Sequence, residues 1–330
     1  MSSAIRDRGY RGKIRAAARH LRCEPNERAI VSACRRQADD RCNEIDPMLT
    51  PAERLSALAD YASVHFEIAR TNEDLDEIAA RYARLGELGF LARRERFDGE
   101  LLAAILRRNS PAQGERTFVA LVDARGDKGA REFFSRAHEV AHPVLEPQLA
   151  FNFREETKAR DAWEELVDHV GAEMVFSGTP WTKGVALALM GSPGLTVAAV
   201  DDLRSRMAHA ASLTVIARAA ANQANRPILV LWARHDGSKR DPTPILRILR
   251  PTPNDVAVAH GIFHIHRKRR VPDSSPIARS YRSRNDEFGF EDLGEWRDSE
   301  GVALPAHRVW TAARAMGEGV FAIMDFAAES

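Results

Sequence analysis

Residues 133–142 read Phe133-Phe134-Ser135-Arg136-Ala137-His138-Glu139-Val140-Ala141-His142. The two histidines stand four apart, and on an α-helix residues at that spacing lie one above the other on one face. Both imidazoles can then reach one metal ion. Glu139, one position on from the first histidine, projects to the side and can hold a water bound to that ion. Phe133, Phe134, Ala137, Val140 and Ala141 supply the apolar surface that buries such a helix. The pattern predicts a helix from about Lys128 to His142. Pro143 should end it there, because the residue before a proline is biased away from helical backbone.

A catalytic zinc takes three protein ligands and keeps one position open for water. The next helical pattern, from about Glu156 to Phe176, carries Trp163, Val167, Val170, Gly171 and Met174 as its apolar stripe. Glu164 and Asp168 stand four apart on a neighbouring face. One carboxylate can bind the metal while the other accepts a hydrogen bond from a ligand imidazole and fixes its tautomer. Glu165, one position away, competes with Glu164 for the ligand role.

Working outward, residues 1–72 read as a helical extension. Tyr10, Ile14, Ala17, Ala18 and Leu21 form one apolar stripe. Thr50-Pro51-Ala52-Glu53 opens a second helix, with Thr50 as cap, Pro51 at the first helical position and Glu53 closing a capping box. That helix is expected to continue through Leu55, Leu58, Ala59, Ala62 and Phe66, and a third to span about Glu73 to Leu85. Leu88–Phe97, Glu100–Arg107 and Thr117–Asp123 read as antiparallel strands separated by turn residues. Helices are expected near Val197–Met207 and Leu213–Asn222, then a boundary at Asn225-Arg226-Pro227. Beyond it, Ile228–Ala233, Pro244–Leu249, Val256–His266 and Val320–Phe326 read as strands. The expected fold class is α+β: a helical extension at 1–72, a metal-bearing domain at 73–225 and a small α+β unit at 226–330.

Of the 330 residues 44% are hydrophobic and 29% charged, and the formal net charge of +1 provides no whole-protein attraction to nucleic acid or membrane. No apolar run approaches the roughly 20 residues that span a bilayer, so no membrane partner is expected. Cys23, Cys34 and Cys42, in a chain without an export signal, fit reduced thiols and a cytoplasmic location. A local exception to the charge balance is the run Arg267-Lys268-Arg269-Arg270, followed by Arg279, Arg282 and Arg284 and opposed in that stretch only by Asp273. With Tyr281 interleaved, this run is a candidate single-stranded nucleic-acid patch; a solvated loop is the plainer reading. His264 and His266, two apart, would share one side of a strand as a second metal site or as edge histidines.

The aromatic lead-in to His138-Glu139-x-x-His142, followed by Glu164-Glu165-Leu166-Val167-Asp168-His169-Val170-Gly171-Ala172-Glu173-Met174-Val175, resembles the ImmA/IrrE metallopeptidases over roughly residues 75–225. Val167, Val170 and Phe176 depart from that family's pattern. The resemblance implies a zincin-like core, zinc as cofactor, Glu164 as third ligand and Asp168 as the acid behind a ligand histidine. It also implies a regulatory endopeptidase in which Glu139 activates the water. The implied substrate is a helix-turn-helix repressor, inactivated in response to stress or DNA damage. The CapP peptidases of CD-NTase-based antiphage operons are similar in joining such a core to a C-terminal sensor-like domain, and imply single-stranded DNA as effector. The rival from another class is a non-catalytic signal-binding module whose basic tail binds nucleic acid.

Overall fold

The computed structural model describes residues 3–87, 89–91, 97, 101–155, 161–236, 245–262, 265–297 and 301–327. The fold is mixed α+β with two sheets, and the chain divides into two compact units, Met1–Trp181 with Met207–Ser212, and Thr182–Arg206 with Leu213–Ser330.

The first unit contains α1 (Ser3–Leu21), α2 (Glu27–Ile45), α3 (Pro51–Tyr61), β1 (Val64–Ala69), α4 (Asn72–Arg84), β2 (Leu101–Arg107), β3 (Phe118–Asp123), α5 (Glu132–Leu145), β4 (Phe151–Glu155) and α6 (Ala162–Val175). Thr50 and Glu53 form the expected capping box of α3, and Thr71 and Asp74 form another at α4. The second helix stops at Tyr61, well short of the expected Phe66. Ser63 takes a left-handed turn (φ 55°), and Val64–Ala69 pairs parallel with β3. A partner some fifty residues away decided that segment, and no local periodicity announces it.

The sheet runs β1-β3-β2-β4, with β2 antiparallel to both of its neighbours and β4 at the edge. β3 is buried at every position and β2 at all but Arg107. Such continuous apolar runs need cover on both faces. Leu75, Ile78, Ala79 and Tyr82 of α4 cover Ala104, Leu106, Val119 and Leu121. α5 packs against β2 and β3, with Arg136 stacked over Phe66 at 4.8 Å on the other face of β1. Of the strand expected over 88–97, only Gly89–Leu91 and Phe97 are described, and they form turn and 3-10 backbone. Phe90 is buried by an edge-on contact with Tyr82 at 5.6 Å, so side-chain packing rather than strand pairing accounts for its apolar character.

The second unit contains most of α7 (Thr179–Leu189) and α8 (Val197–Met207), then α9 (Leu213–Gln223), β5 (Ile228–Asp236), β6 (Ile245–Pro253), α10 (Asp255–Ala259), α11 (Pro276–Ser283), β7 (Glu287–Asp292), β8 (Arg308–Met316) and β9 (Gly319–Asp325). Its antiparallel sheet runs β6-β5-β9-β8-β7 over a core that includes Leu229, Ile248, Ile277, Trp296 and Met324. The strand expected at 256–266 is instead the short α10, followed by a turn. Asn254 caps it by accepting from Ala257 N (2.9 Å), and also binds Ile228 N (3.1 Å) and Ala221 O (2.8 Å). Phe263 and His264 lie outside the described residues, and with them the paired-histidine reading.

The two units do not follow the expected divisions at 72 and 225. β1 is committed to β3 and α2 packs on α6, so the N-terminal helices belong with the first sheet. Trp232 Nε1 donates to Thr214 at 3.1 Å, which ties α9 to the second. No helix among the described residues is long and apolar enough to cross a membrane.

Within the first unit the N-terminal helices are joined to the end of α6 by a buried cation. Arg54, 2% exposed, donates to Asp39 (2.7 Å), Ser177 Oγ (2.6 Å) and Met174 O at the end of α6 (3.0 Å). Breaking a buried charged pair strands its partners and costs on the order of 3 kcal/mol. Arg54→Ala should therefore lower the urea-unfolding free energy by about 3 kcal/mol, whereas a change below about 1 kcal/mol would mean the network carries little.

Candidate metal centre

α5 is buried on nearly every side: His138 is 1% exposed and Glu139 and His142 are fully buried, beside Phe133, Ala137, Val140 and Ala141. The helix runs through His142 to Leu145, so it does not stop at its last histidine as Pro143 led one to expect. Proline removes one backbone donor, but here it falls in the final turn, where Val144 and Leu145 are buried and Glu146 N donates to His142 O at 2.7 Å. The packing of that turn outweighs one missing bond.

α6 opens at Asp161, which caps it by accepting from Trp163 N at 3.2 Å. Trp163 is buried, donates to Glu146 at 3.0 Å and lies beneath Lys13 of α1 at 5.0 Å. The expected stripe of Trp163, Val167, Val170 and Met174 is buried throughout. Phe176 fills the space between Phe133 (5.7 Å) and Trp181 (5.0 Å). Gly171 is where the two helices touch. A Cβ there would stand 2.7 Å from Ala137 O and 3.2 Å from His138 N.

His138 Nδ1 lies 2.7 Å from Asp168 Oδ1. An ionised carboxylate only accepts, so the imidazole carries its proton on Nδ1 and its lone pair on Nε2. That Nε2 is 3.1 Å from His142 Nε2 and 3.2 Å from Glu164 Oε2, and Glu164 Oε2 is 3.7 Å from His142 Nε2. Burial, then the neighbouring His138, pushes His142 down to about 3, which keeps it neutral near pH 7. Glu164 Oε2 is buried and makes no hydrogen bond. Two imidazole nitrogens and one carboxylate oxygen thus stand close enough together for one cation to bind all three. His138, His142 and Glu164 form the group among the described residues that can hold a metal ion.

The expected ligand set is therefore brought together and Asp168 stands behind His138. Glu165, the competing ligand, is not part of the cluster. Asn152, which no sequence pattern singled out, is. Its Nδ2 lies 2.7 Å from His142 Nε2 and 3.2 Å from Glu164 Oε1. Its place depends on the pairing of β4 with β2, and no local signal in the sequence carries that.

The basic run of the second unit is far less bare than its sequence. Lys268 pairs with Asp236, Arg270 with Asp273 (3.6 Å), Arg279 with Glu287 (3.3 Å) and Arg282 with Asp273 (3.9 Å). Backbone bonds from Lys268 N to Ile248 O (2.6 Å) and from Ile248 N to Arg269 O (2.9 Å) lay this segment along β6. Arg267 is exposed. Tyr281, expected as a stacking platform, already stacks on His235 at 4.5 Å.

Compared with models of protein families and with curated proteins, the sequence matches none.

The helix contact yields a prediction of definite sign. In an open helix Gly→Ala stabilises by up to about 1 kcal/mol, but at Gly171 the added methyl meets backbone of α5. Gly171→Ala should destabilise by about 1–3 kcal/mol in thermal or urea unfolding, and a neutral or stabilised variant would refute the close contact.

Proposed function

We propose that this chain is a zinc-dependent endopeptidase with a zincin-like core. The observation that carries the reading is the convergence of His138 Nε2, His142 Nε2 and Glu164 Oε2, 3.1–3.7 Å apart, with Glu139 on the same helix as both histidines. A tetrahedral ion with bonds of about 2.0–2.2 Å sets its ligand atoms about 3.3–3.6 Å apart, so the spacing suits zinc. The donor set of two imidazoles and one carboxylate leaves one position of a tetrahedron open, as hydrolysis requires.

When bound there, zinc polarises a carbonyl oxygen and lowers the pKa of a coordinated water. The chain's own groups do the rest. Asp168 holds His138 in the Nδ1–H tautomer, so its lone pair stays directed at the metal position. Glu139 is the general base: it accepts a proton from the attacking water as the C–O bond forms, and delivers it to the departing amine nitrogen as the C–N bond breaks. Burial of the α5 face keeps bulk water from these groups.

The resemblance to ImmA/IrrE peptidases supports the further proposal that the cleaved protein is a helix-turn-helix repressor and the peptidase a regulator responding to stress or DNA damage. Single-stranded DNA as effector rests on that resemblance alone, since carboxylates meet much of the basic run.

Zinc analysis of freshly purified protein tests the reading. One zinc per chain is expected, lost in His138→Ala and kept in Glu139→Gln. Glu139→Gln should also slow cleavage of a co-incubated repressor about 10²–10⁴-fold. A metal-free wild-type protein, or Glu139→Gln with full activity, overturns it.

A further inference from the structure

We infer that Asn152 is a positioning residue of the metal centre, holding Glu164 as a one-oxygen ligand. The assignment rests on the metal reading above and adds to it a residue from the sheet. Asn152 stands directly opposite Ile105 in the β4–β2 register. Directly opposed residues of an antiparallel pair share a face. Ile105 clusters with Val64, Phe118, Ala120 and Phe66, on the side where Arg136 of α5 covers Phe66. Its neighbour Phe151 packs instead with the α4 cluster, as strand alternation requires. The carboxamide is thereby carried to the metal helices.

A carboxamide NH₂ has two donors. One donates to Glu164 Oε1 at 3.2 Å, which leaves Oε2 as the oxygen turned towards the two imidazoles. A carboxylate without such a tether can rotate and bind through both oxygens, taking up the position that a catalytic zinc keeps free. The same nitrogen lies 2.7 Å from His142 Nε2, a contact that a bound metal replaces, because that ring nitrogen has a single lone pair. Asn152 thus does for Glu164 what Asp168 does for His138, bonding the atom that faces away from the metal position.

The test compares full-length wild type, Asn152→Ala and Asn152→Asp. Zinc affinity is measured by competition with a chromophoric chelator, and the visible spectrum is recorded after Co²⁺ substitution. Losing an outer partner of a ligand costs about 10–100-fold in metal affinity, and Asn152→Ala should show that loss while still saturating at one zinc per chain. Its Co²⁺ bands should weaken towards those of a five-coordinate ion as Glu164 binds through both oxygens, a change that loosened packing alone does not produce. Asn152→Asp keeps the side chain's shape without the donors, so it should also bind zinc more weakly, and it tests the same bonds if alanine disturbs the strand. Wild-type affinity and spectrum in Asn152→Ala overturn the assignment while leaving the zinc reading intact. Tighter binding in Asn152→Asp overturns it too, because the side chain would then be a ligand. A wild-type protein that takes up no zinc removes the metal reading and this assignment together.

Discussion

The contact between α5 and α6 at Gly171 is the constraint on which the site depends. Helix axes packed through ordinary side chains stay roughly 8–10 Å apart, and a glycine lets backbone approach backbone. Asp168 and Glu164 stand three and seven residues before Gly171, so all three lie along one stripe of α6. On α5 the contact falls at Ala137 and His138, the start of the turn that carries His138, Glu139 and His142. One crossing therefore delivers Asp168 to His138 and Glu164 to both histidines. A wider separation would move Asp168 from Nδ1 and Glu164 from Nε2 together, because they ride on the same rigid element.

The crossing also sets an electrostatic problem that the neighbouring residues shape. Burial drives His142 towards neutrality, and Asp168 forces the His138 lone pair onto Nε2. Neither effect helps packing, and the two imidazoles are left with their Nε2 atoms 3.1 Å apart. A core selected only for stability would have an apolar pair in this place, since unsatisfied buried polar groups are costly. The arrangement makes physical sense as a cation site, with the His138 tautomer chosen in advance by Asp168, a group outside the ligand set.

What the sequence disclosed and what it withheld divide along contact distance. The α5 and α6 patterns, the capping box of Thr50 and Glu53, and the strands β2, β3, β5 and β9 are written in residues a few positions apart, and they are found where expected. β1 and β4 are not. Each is a short segment whose strand character comes from a partner many residues away, Phe118–Asp123 for one and Leu101–Leu106 for the other. Losing β4 meant losing Asn152. Pro143 misled for the opposite reason: its local bias is real, but the buried Val144 and Leu145 held the last turn. Across the expected boundary near residue 225, Asn254 reaches back to Ala221 O, and Pro/Asn composition says nothing of such bonds.

The second unit shows the same limit for charge. Read as a string, Arg267 to Arg284 is a concentrated positive stretch; in the fold, Asp236 and Glu287 are brought in from outside that interval. Pairs so exposed add little stability, so their effect is on the field rather than on the fold. A phosphate backbone gains from a basic surface in proportion to the charges left to neutralise it, and opposite charges within about one Debye length, roughly 8–10 Å, cancel at a distance. The run therefore presents much less positive potential than its composition suggests. The His138–His142–Glu164 group depends on burial and geometry, and it is the feature from which function is best argued.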